Sequence, residues 1–182
     1  MITLDNKRFI IIGPPGSGKT ELAKSILRST ADAVVYDPLN EYGEFKHYVP
    51  RERDSKEELE TFIRMYVRPK APRLFMVDEA NRYIEPKPTR LTQEVSAIND
   101  FARHWNLAWG LVTRRPSQFH SDVVELAHFL FVFGLHGKND RRYLDDLVQG
   151  LGDQVDALPE YHFLILQNGR VLGVHAPIDY RP

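Results

Sequence analysis

Residues 13–20 read Gly-Pro-Pro-Gly-Ser-Gly-Lys-Thr, a full match to the phosphate-binding loop pattern G-x-x-x-x-G-K-[ST]. The apolar run at residues 9–12 precedes this stretch, and a helical pattern at residues 20–27 follows it. A strand before the loop and a helix after it are the context that the pattern requires. The stretch therefore predicts a strand–loop–helix unit that binds a nucleoside triphosphate.

The residue types in the loop explain how it would bind phosphate. Gly16 and Gly18 let the backbone curl so that consecutive N–H groups point at phosphate oxygens, next to the positive end of the helix dipole. Lys19 is predicted to reach the β- and γ-phosphates and to act in catalysis, and the Thr20 hydroxyl to bind Mg²⁺. The predicted nucleotide-binding residues are Gly13, Pro14, Pro15, Gly16, Ser17, Gly18, Lys19, Thr20 and Glu21.

Short apolar runs alternate with helical patterns along most of the chain. The runs are continuous, as in parallel strands that are covered on both faces, and lie at residues 9–12, 34–36, 74–77, 107–112 and 128–133. Helical patterns follow the capping-box signal Ser55-x-x-Glu58, span residues 91–105 and follow Asn139. This alternation predicts an α/β fold with a doubly wound, mostly parallel sheet.

The C-terminal part has a different pattern. Apolar stretches at residues 161–166 and 171–175 flank Gln167-Asn168-Gly169-Arg170, and an Asn-Gly pair in this position predicts a β-hairpin. The chain contains no repeat, no low-complexity tract and no linker that would divide it. Residues 1–182 are therefore expected to form a single phosphate-loop ATPase domain.

Composition narrows the class of protein. The 182 residues are 42% hydrophobic and 27% charged, which is typical of a globular protein, and the formal net charge is −1. No apolar run approaches the ~20 residues that span a bilayer, and no signal peptide is recognisable, so an intracellular location is expected. There is no Cys, and the seven His residues lack metal-ligand spacing, so a thiolate or histidine metal site is not expected.

Two adjacent acids follow the apolar run at residues 74–77. Ligands bind at the carboxyl ends of the strands in this kind of sheet, which is where Asp78 and Glu79 would emerge. Asp78 suits the role of a Mg²⁺ ligand acting through water, and Glu79 that of the general base that polarises the attacking water. An acid directly after the Mg²⁺ aspartate is typical of ring-forming ATPases that have an additional central strand.

The chain resembles the HerA/FtsK superfamily of ATPases in four segments across residues 8–133. They are the phosphate loop; Val34-Val35-Tyr36-Asp37-Pro38-Leu39-Asn40-Glu41-Tyr42; Val77-Asp78-Glu79-Ala80-Asn81-Arg82-Tyr83-Ile84; and Leu111-Val112-Thr113-Arg114-Arg115-Pro116-Ser117. One position departs from the family pattern: Arg114 stands where many members carry a Gln that senses the γ-phosphate. An Arg there could contact the γ-phosphate or act on a neighbouring subunit, and Gln118 is a weaker substitute.

The resemblance implies a RecA-like domain of the additional-strand, catalytic-glutamate type that uses ATP and Mg²⁺. It also implies a homo-oligomer, a hexameric ring, that moves double-stranded DNA. The chain looks most like the genome-packaging ATPases of tailless viruses with internal membranes. The expected location is then the cytoplasm of the host cell and the capsid vertex of the virion, with a capsid or viral membrane protein as a further partner and no integral membrane segment.

Such a ring needs an arginine supplied in trans and cations that contact DNA phosphates. Arg114 and Arg115 are the preferred catalytic arginines because they leave a central strand at its carboxyl end; the full candidate set is Arg82, Arg103, Arg114, Arg115, Arg141 and Arg142. The candidate DNA-binding residues are Lys87, Arg90 and Lys138.

Two other functions remain open at this point. A nucleotide or small-molecule kinase shares the phosphate loop, and the basic cluster at residues 137–142 could act as its lid. A phage assembly factor that uses ATP as a switch is the other alternative.

Tyr42 and Phe45 are candidates to border the nucleotide base.

Overall fold

The computed structural model describes residues 3–178. Its centre is an eight-stranded sheet with the order β3-β2-β4-β5-β1-β6-β7-β8. The strands are β1 (Arg8–Ile12), β2 (Ala33–Tyr36), β3 (His47–Tyr48), β4 (Leu74–Val77), β5 (Ala108–Thr113), β6 (Phe129–Phe133), β7 (Phe163–Gln167) and β8 (Arg170–His175). The mostly parallel α/β sheet predicted from the sequence is confirmed.

The order of the strands identifies the type of sheet. Strand β5 pairs in parallel with both β1 and β4, and so separates the strand before the phosphate loop from the strand before the acids. This is the additional central strand that the sequence predicted. Strands β7 and β8 are antiparallel, and Asn168 and Gly169 between them both have positive φ, at 48° and 75°. The C-terminal hairpin is therefore confirmed as well.

Helices cover both faces of the sheet. They are α1 (Lys19–Ser29), α2 (Lys56–Phe62), α3 (Arg68–Lys70), α4 (Gln93–Phe101), α5 (Ser121–Glu125), α6 (Lys138–Leu147) and α7 (Leu151–Asp156). A π-helical segment, Ile63–Val67, joins α2 to α3, and α4 ends in the 3₁₀ turn Ala102–Trp105. The helical segment therefore continues through Pro69 to Lys70.

The capping box predicted at the start of α2 forms only in part, because one of its two side chains bonds to the preceding loop. The Ser55 side chain accepts a hydrogen bond from the Glu58 backbone N–H at 3.1 Å, as in a capping box. The Glu58 carboxylate does not complete the box, because it accepts bonds from the Arg51 and Glu52 backbone N–H groups and from the Tyr48 hydroxyl. Those bonds fix the loop that follows the short edge strand β3.

Two apolar clusters, one on each face of the sheet, form the core. At the centre, Gly110 of β5 lies opposite Phe9 of β1. A Cβ atom at position 110 would lie 2.4 Å from the Phe9 Cζ, so only glycine lets this ring cross the neighbouring strand. Within residues 3–178, no helix is long and apolar enough to span a membrane.

Candidate active site

The site lies at one edge of the sheet, where three parallel strands end side by side. The phosphate loop follows β1, Asp78 follows β4 and Arg114 follows β5. The Gly13 N–H donates a hydrogen bond to the Thr113 carbonyl at 3.2 Å, which ties the start of the loop to the end of β5. Residues from three distant parts of the sequence therefore meet at the edge where ligands bind in such sheets.

The loop backbone is shaped by its glycines. Gly16 and Gly18 have φ of 77° and 98°, a region that other residues rarely adopt. A Cβ at Gly13 would lie 2.6 Å from the Ser17 hydroxyl and 2.7 Å from the Phe133 Cβ, so this position also requires glycine. The three glycines thus allow the tight turn that the loop adopts.

Lys19 is folded back onto the loop. Its ammonium donates a hydrogen bond to the Pro14 carbonyl at 2.8 Å, and the residue is buried. Burial lowers the pKa of Lys19, while the negative charges of Glu79 and Asp78 act in the opposite direction. Lys19 and both acids are therefore close enough to share one electrostatic environment.

Asp78 is buried at the end of β4. Burial raises the pKa of its carboxyl group to about 7, because the surrounding protein stabilises the charged form poorly. The Thr20 hydroxyl lies on the first turn of α1, 3.5 Å from the Glu41 carboxylate. Glu41 is positioned by the buried Asp37, which accepts hydrogen bonds from the Glu41 and Tyr42 N–H groups at 3.0 and 2.9 Å.

These oxygen donors fit Mg²⁺ that arrives with a nucleotide. Among residues 3–178, no three His, Asp or Glu side chains are grouped so that they could hold a metal ion by themselves. Mg²⁺ is commonly bound by one or two protein groups together with substrate phosphates and water. The Thr20 hydroxyl and the Asp78 carboxylate provide such a partial set, and a divalent cation would stabilise the ionised form of Asp78.

Glu79 is paired with Arg114, and we call these two residues the inner pair. Glu79 is buried and has a left-handed backbone, with φ 47° and ψ 40°. The Arg114 Nε and Nη2 atoms both lie 2.8 Å from the Glu79 Oε1. The residue that departs from the HerA/FtsK pattern therefore contacts the candidate general base of its own chain.

The next residue, Arg115, belongs to a separate group that we call the outer cluster: Arg115, Ser117 and Asp140. The Arg115 Nε lies 3.1 Å from one carboxylate oxygen of the buried Asp140. The other oxygen accepts hydrogen bonds from the Ser117 hydroxyl at 2.6 Å and the Ser117 N–H at 3.3 Å. The Arg115 side chain is 50% exposed, and its Nη2 atom would lie 3.6 Å from a Cβ at Gly137.

The remaining predicted cations lie outside these two groups. Arg82 forms an ion pair with Asp54 at 2.6 Å, and Arg141 with Asp156 at 2.8 Å. Among the candidate DNA-binding residues, Lys87 lies 2.5 Å from Asp122, and Arg90 and Lys138 are exposed. Arg103 and Arg142 are also exposed.

Sequence reasoning missed three acids that organise the site: Asp37, Glu41 and Asp140. The first two lie in the Asp-Pro and Glu-Tyr signature after β2, and Asp140 lies in the basic cluster after β6, so only the fold reveals what they contact.

Tyr42 is fully buried in one of the two core clusters, and Phe45 packs against that cluster. Neither lines the cavity beside the phosphate loop, so the prediction that they border the base finds no support.

A family comparison identifies the class of this domain. The sequence pattern of the ATPase family associated with various cellular activities (AAA) matches residues 9–125, which is more than half of the chain. The chain belongs to this AAA family. As a member, this AAA protein is a nucleotide-binding ATPase, in agreement with its phosphate loop. Among curated proteins, no sequence matches it significantly.

Solved structures share the fold of this AAA domain. The genome packaging NTPase B204 from Sulfolobus turreted icosahedral virus 2, in complex with ATP-gammaS, is 19% identical, with a TM-score of 0.83 over 95% of this chain and 98% of that chain. B204, described as the DNA-packaging ATPase from Sulfolobus turreted icosahedral virus, is 19% identical with a TM-score of 0.84, over 97% and 100% of the two chains.

A more distant likeness has the same architecture. The N-terminal domain of zonular occludens toxin from Neisseria meningitidis is 12% identical, with a TM-score of 0.63 over 96% of each chain. At these identities the three structures establish the fold of the AAA domain. Its substrate and partners have to be argued from its own residues.

Proposed function

We propose that this AAA protein is an ATP-hydrolysing motor of the HerA/FtsK type that moves double-stranded DNA and packages a viral genome into a capsid. The observation that carries the proposal is the meeting of the phosphate loop, Asp78 and an arginine-bound Glu79 at one edge of the sheet. The likeness to structures described as genome-packaging ATPases supports the choice of DNA as the cargo.

The phosphate tail of ATP lies along the loop, where the backbone N–H groups and Lys19 bind it. To bind, the Lys19 ammonium exchanges the Pro14 carbonyl for phosphate oxygens, and this gives the lysine a stronger, charged acceptor. Thr20 and Asp78 would hold Mg²⁺, which would neutralise charge on the phosphates when bound. These residues set the position of the terminal phosphate relative to the acid that follows Asp78.

Glu79 is the group that polarises the attacking water. Its carboxylate accepts both bonds from Arg114 on one oxygen, Oε1, so Oε2 is left for a water molecule. Arg114 is a positioning residue in this scheme, because it orients the base and does not touch the reacting atoms. This replaces the two roles considered for Arg114 from the sequence, a γ-phosphate sensor and a donor to another subunit.

Arg115 is the residue that we assign to catalysis in trans. Its guanidinium is anchored by Asp140 at one nitrogen and its side chain is 50% exposed, whereas Arg114, 40% exposed, bonds to Glu79 through two nitrogens. In a hexameric ring, Arg115 of one subunit would reach the terminal phosphate bound by its neighbour. An arginine supplied in this way accelerates phosphoryl transfer by ~10³–10⁵-fold.

Contacts with DNA are assigned to Lys87, Arg90 and Lys138. They come after β4 and β6, parallel strands that end at the same edge of the sheet as β1, and all three are exposed. Six copies around a channel would sum their fields although one chain carries a net charge of only −1. Contacts to DNA phosphates are independent of base sequence and sensitive to salt.

The wider assignment follows from this activity. We propose that residues 1–182 act as one ATPase domain, in the host cytoplasm and at the capsid vertex, where a capsid or viral membrane protein anchors the ring. The ring is the unit that acts on DNA.

The decisive experiment measures ATP hydrolysis with and without duplex DNA for the wild-type chain and for Glu79→Gln. We expect duplex DNA to stimulate the wild-type rate, and the Gln variant to bind ATP but lose at least about a hundredfold in rate, because a general base contributes ~10²–10⁴-fold. Phosphate transfer to a small acceptor without any effect of DNA would favour the kinase alternative. ATP binding without hydrolysis in the wild type would favour the assembly factor.

The DNA contacts have a separate test. The double variant Lys87→Gln and Arg90→Gln should reduce the slope of log K against log salt, because fewer counterions are released when fewer phosphates are contacted. The matched control is the double variant Arg64→Gln and Lys70→Gln, two exposed cations in the helical segment before β4. An unchanged slope in the double variant would remove this loop from the DNA interface.

A further inference from the structure

We propose that Tyr161, with Pro177 and Ile178, forms the subsite for the nucleotide base, and that Tyr161 binds the base by stacking. This inference rests on the proposed function only in that the phosphate loop binds a nucleoside phosphate. It assigns the part of the substrate that the loop, the acids and the arginines leave uncontacted.

The first argument is the position of a cavity of about 450 Å³ beside the loop. Its walls include Gly18, Lys19, Thr20 and Tyr161, whereas Asp78, Glu79 and Arg114 do not line it. The two acids therefore mark the end of the site where the γ-phosphate lies, outside this cavity. The sugar and base extend from the opposite end of the triphosphate, and the cavity next to the first turn of α1 is on that side.

The second argument is the conformation of Tyr161. Its φ is 61°, in the left-handed region, which is unusual for a bulky residue. Such a backbone conformation is strained, and strained residues of this kind are concentrated at functional sites. The residue lies in the turn between α7 and β7, where the His162 N–H donates to the Pro159 carbonyl at 3.1 Å. This turn brings the ring to the phosphate loop: a Cβ at Gly18 would lie 3.9 Å from the Tyr161 Cδ1.

The third argument is the chemistry of the walls. Tyr161 is 47% exposed, so its ring is accessible, and Ile178 is half-buried against the core cluster that contains Phe133. Phe133 itself is buried and supports the floor of the cavity. A flat, accessible aromatic ring above an apolar floor suits the face of a nucleobase, because every base offers a π-face for stacking.

A second cavity of about 300 Å³ also touches Tyr161, on the side of Pro14 and His136. It does not include Thr20 or Glu21, the residues of the first helical turn. The loop N–H groups and that turn bind the phosphates nearest to the sugar. The base is therefore assigned to the larger cavity, on the α1 side of the Tyr161 ring.

The test compares two ligands that differ in carrying a base, ADP and inorganic pyrophosphate, in the presence of Mg²⁺ and without DNA. For Tyr161→Gly we expect ADP to bind about tenfold more weakly, in the range that loss of one stacked base produces, and pyrophosphate to bind as it does to the wild type. Glycine adopts positive φ without strain, so this variant removes the ring while keeping the turn. Tyr161→Phe should bind ADP within about twofold of the wild type, because stacking needs the ring and not the hydroxyl.

Phe101→Ala is the matched control, an exposed aromatic residue at the end of α4. It should leave the binding of both ligands unchanged. Unchanged binding of ADP by Tyr161→Gly would overturn the assignment, and so would an equal loss of ADP and pyrophosphate, which would indicate damage to the phosphate loop. These outcomes are independent of DNA stimulation, so the proposal of a DNA motor can fail while the base subsite stands; a wild-type chain that binds neither ligand would contradict both.

Discussion

Arg114 of the inner pair and Arg115 of the outer cluster are consecutive residues, yet their side chains bond to different parts of the fold. Arg114 bonds to Glu79 at the end of β4, and Arg115 bonds to Asp140 on α6. Arg114 contacts its acid through two nitrogens and is 40% exposed, whereas Arg115 contacts its acid through one nitrogen and is 50% exposed. Two consecutive residues after β5 thus bind acids from different elements, and on our proposal Arg114 serves its own site while Arg115 serves a neighbouring subunit.

The largest effect is expected when the two groups are tested by mixing subunits. Arg115→Ala alone should lose about 10³-fold or more of the DNA-stimulated rate if Arg115 acts in trans. Mixed in equal amounts with Glu79→Gln, it should regain up to about a quarter of the wild-type rate, because roughly one interface in four then joins an intact Glu79 to an intact Arg115. The measurement is steady-state ATP hydrolysis of the mixture.

Arg114→Ala mixed with Glu79→Gln is the control, because both residues of the inner pair belong to one chain and no mixed site contains both. Its rate should stay at the level of the separate variants. Recovery in this mixture, or none in the Arg115 mixture, would reverse the assignment of the two arginines.

The second effect concerns Asp78, which lies next to the inner pair but is not part of it. Burial raises the pKa of Asp78 to about 7, so folding is less favourable when Asp78 is ionised. The free energy of unfolding therefore falls as the pH rises from the unfolded pKa near 4 toward 7. Asp78→Asn removes this penalty. Its free energy of unfolding should exceed that of the wild type at pH 8, and the gain should shrink by about 3 kcal/mol when the pH is lowered to 5.

This comparison is made by chemical denaturation with a chelator present and without nucleotide. Thr20→Val serves as a control at the same site without a titratable group. A gain that does not depend on pH would mean that Asp78 is ionised without penalty in the folded protein.

A smaller effect is expected for the inner pair itself. Arg114→Ala should lower kcat by about tenfold to a hundredfold, since the charged hydrogen bonds that orient Glu79 are worth ~1.5–3 kcal/mol, while the affinity for ATP changes little. Single-turnover hydrolysis measures this directly. A faster rate in the variant would show that Arg114 restrains Glu79 and does not align it.

The smallest effect is expected for Asp140→Asn. The amide keeps the shape and its oxygen still accepts a bond from Ser117, but the charge that anchors Arg115 is lost. The DNA-stimulated rate should fall about fivefold, equivalent to ~1 kcal/mol, with no change in the rate without DNA. An equal fall in both rates would indicate that Asp140 acts on the structure of the whole site.

The parts of this site that follow from the sequence are those written in contiguous motifs. The loop at 13–20 and the acids at 78 and 79 are recognisable because each motif sits directly after an apolar strand, and the fold type follows from the order of such strands. The Glu79–Arg114 bond depends on strand register: Val77 of β4 lies opposite Leu111 of β5, which brings the residues after the two strands side by side. A single sequence does not specify that register.

The contacts of the outer cluster and the position of Tyr161 are not predictable from the sequence, for a related reason. Asp140 follows β6, 25 residues after Arg115, and nothing in a basic segment indicates that its one buried acid anchors an arginine. The apolar stretch at residues 161–166 predicts a strand that begins at Tyr161, whereas Tyr161 lies in a left-handed turn ahead of β7. Side chains that meet only through tertiary packing leave no periodic signal in the chain.

The contact of Phe9 with Gly110 sets the spacing between the two halves of the catalytic machinery. Phe9 precedes the phosphate loop by four residues and Gly110 precedes Arg114 by the same number, so each lies about 13 Å of strand below the chemistry. A single methyl group at position 110 would collide with the ring and drive β1 and β5 apart, and the cradle would then no longer line up with the arginines. Gly110 thus sets the distance between β1 and β5, and we expect even Gly110→Ala to lower the rate of ATP hydrolysis.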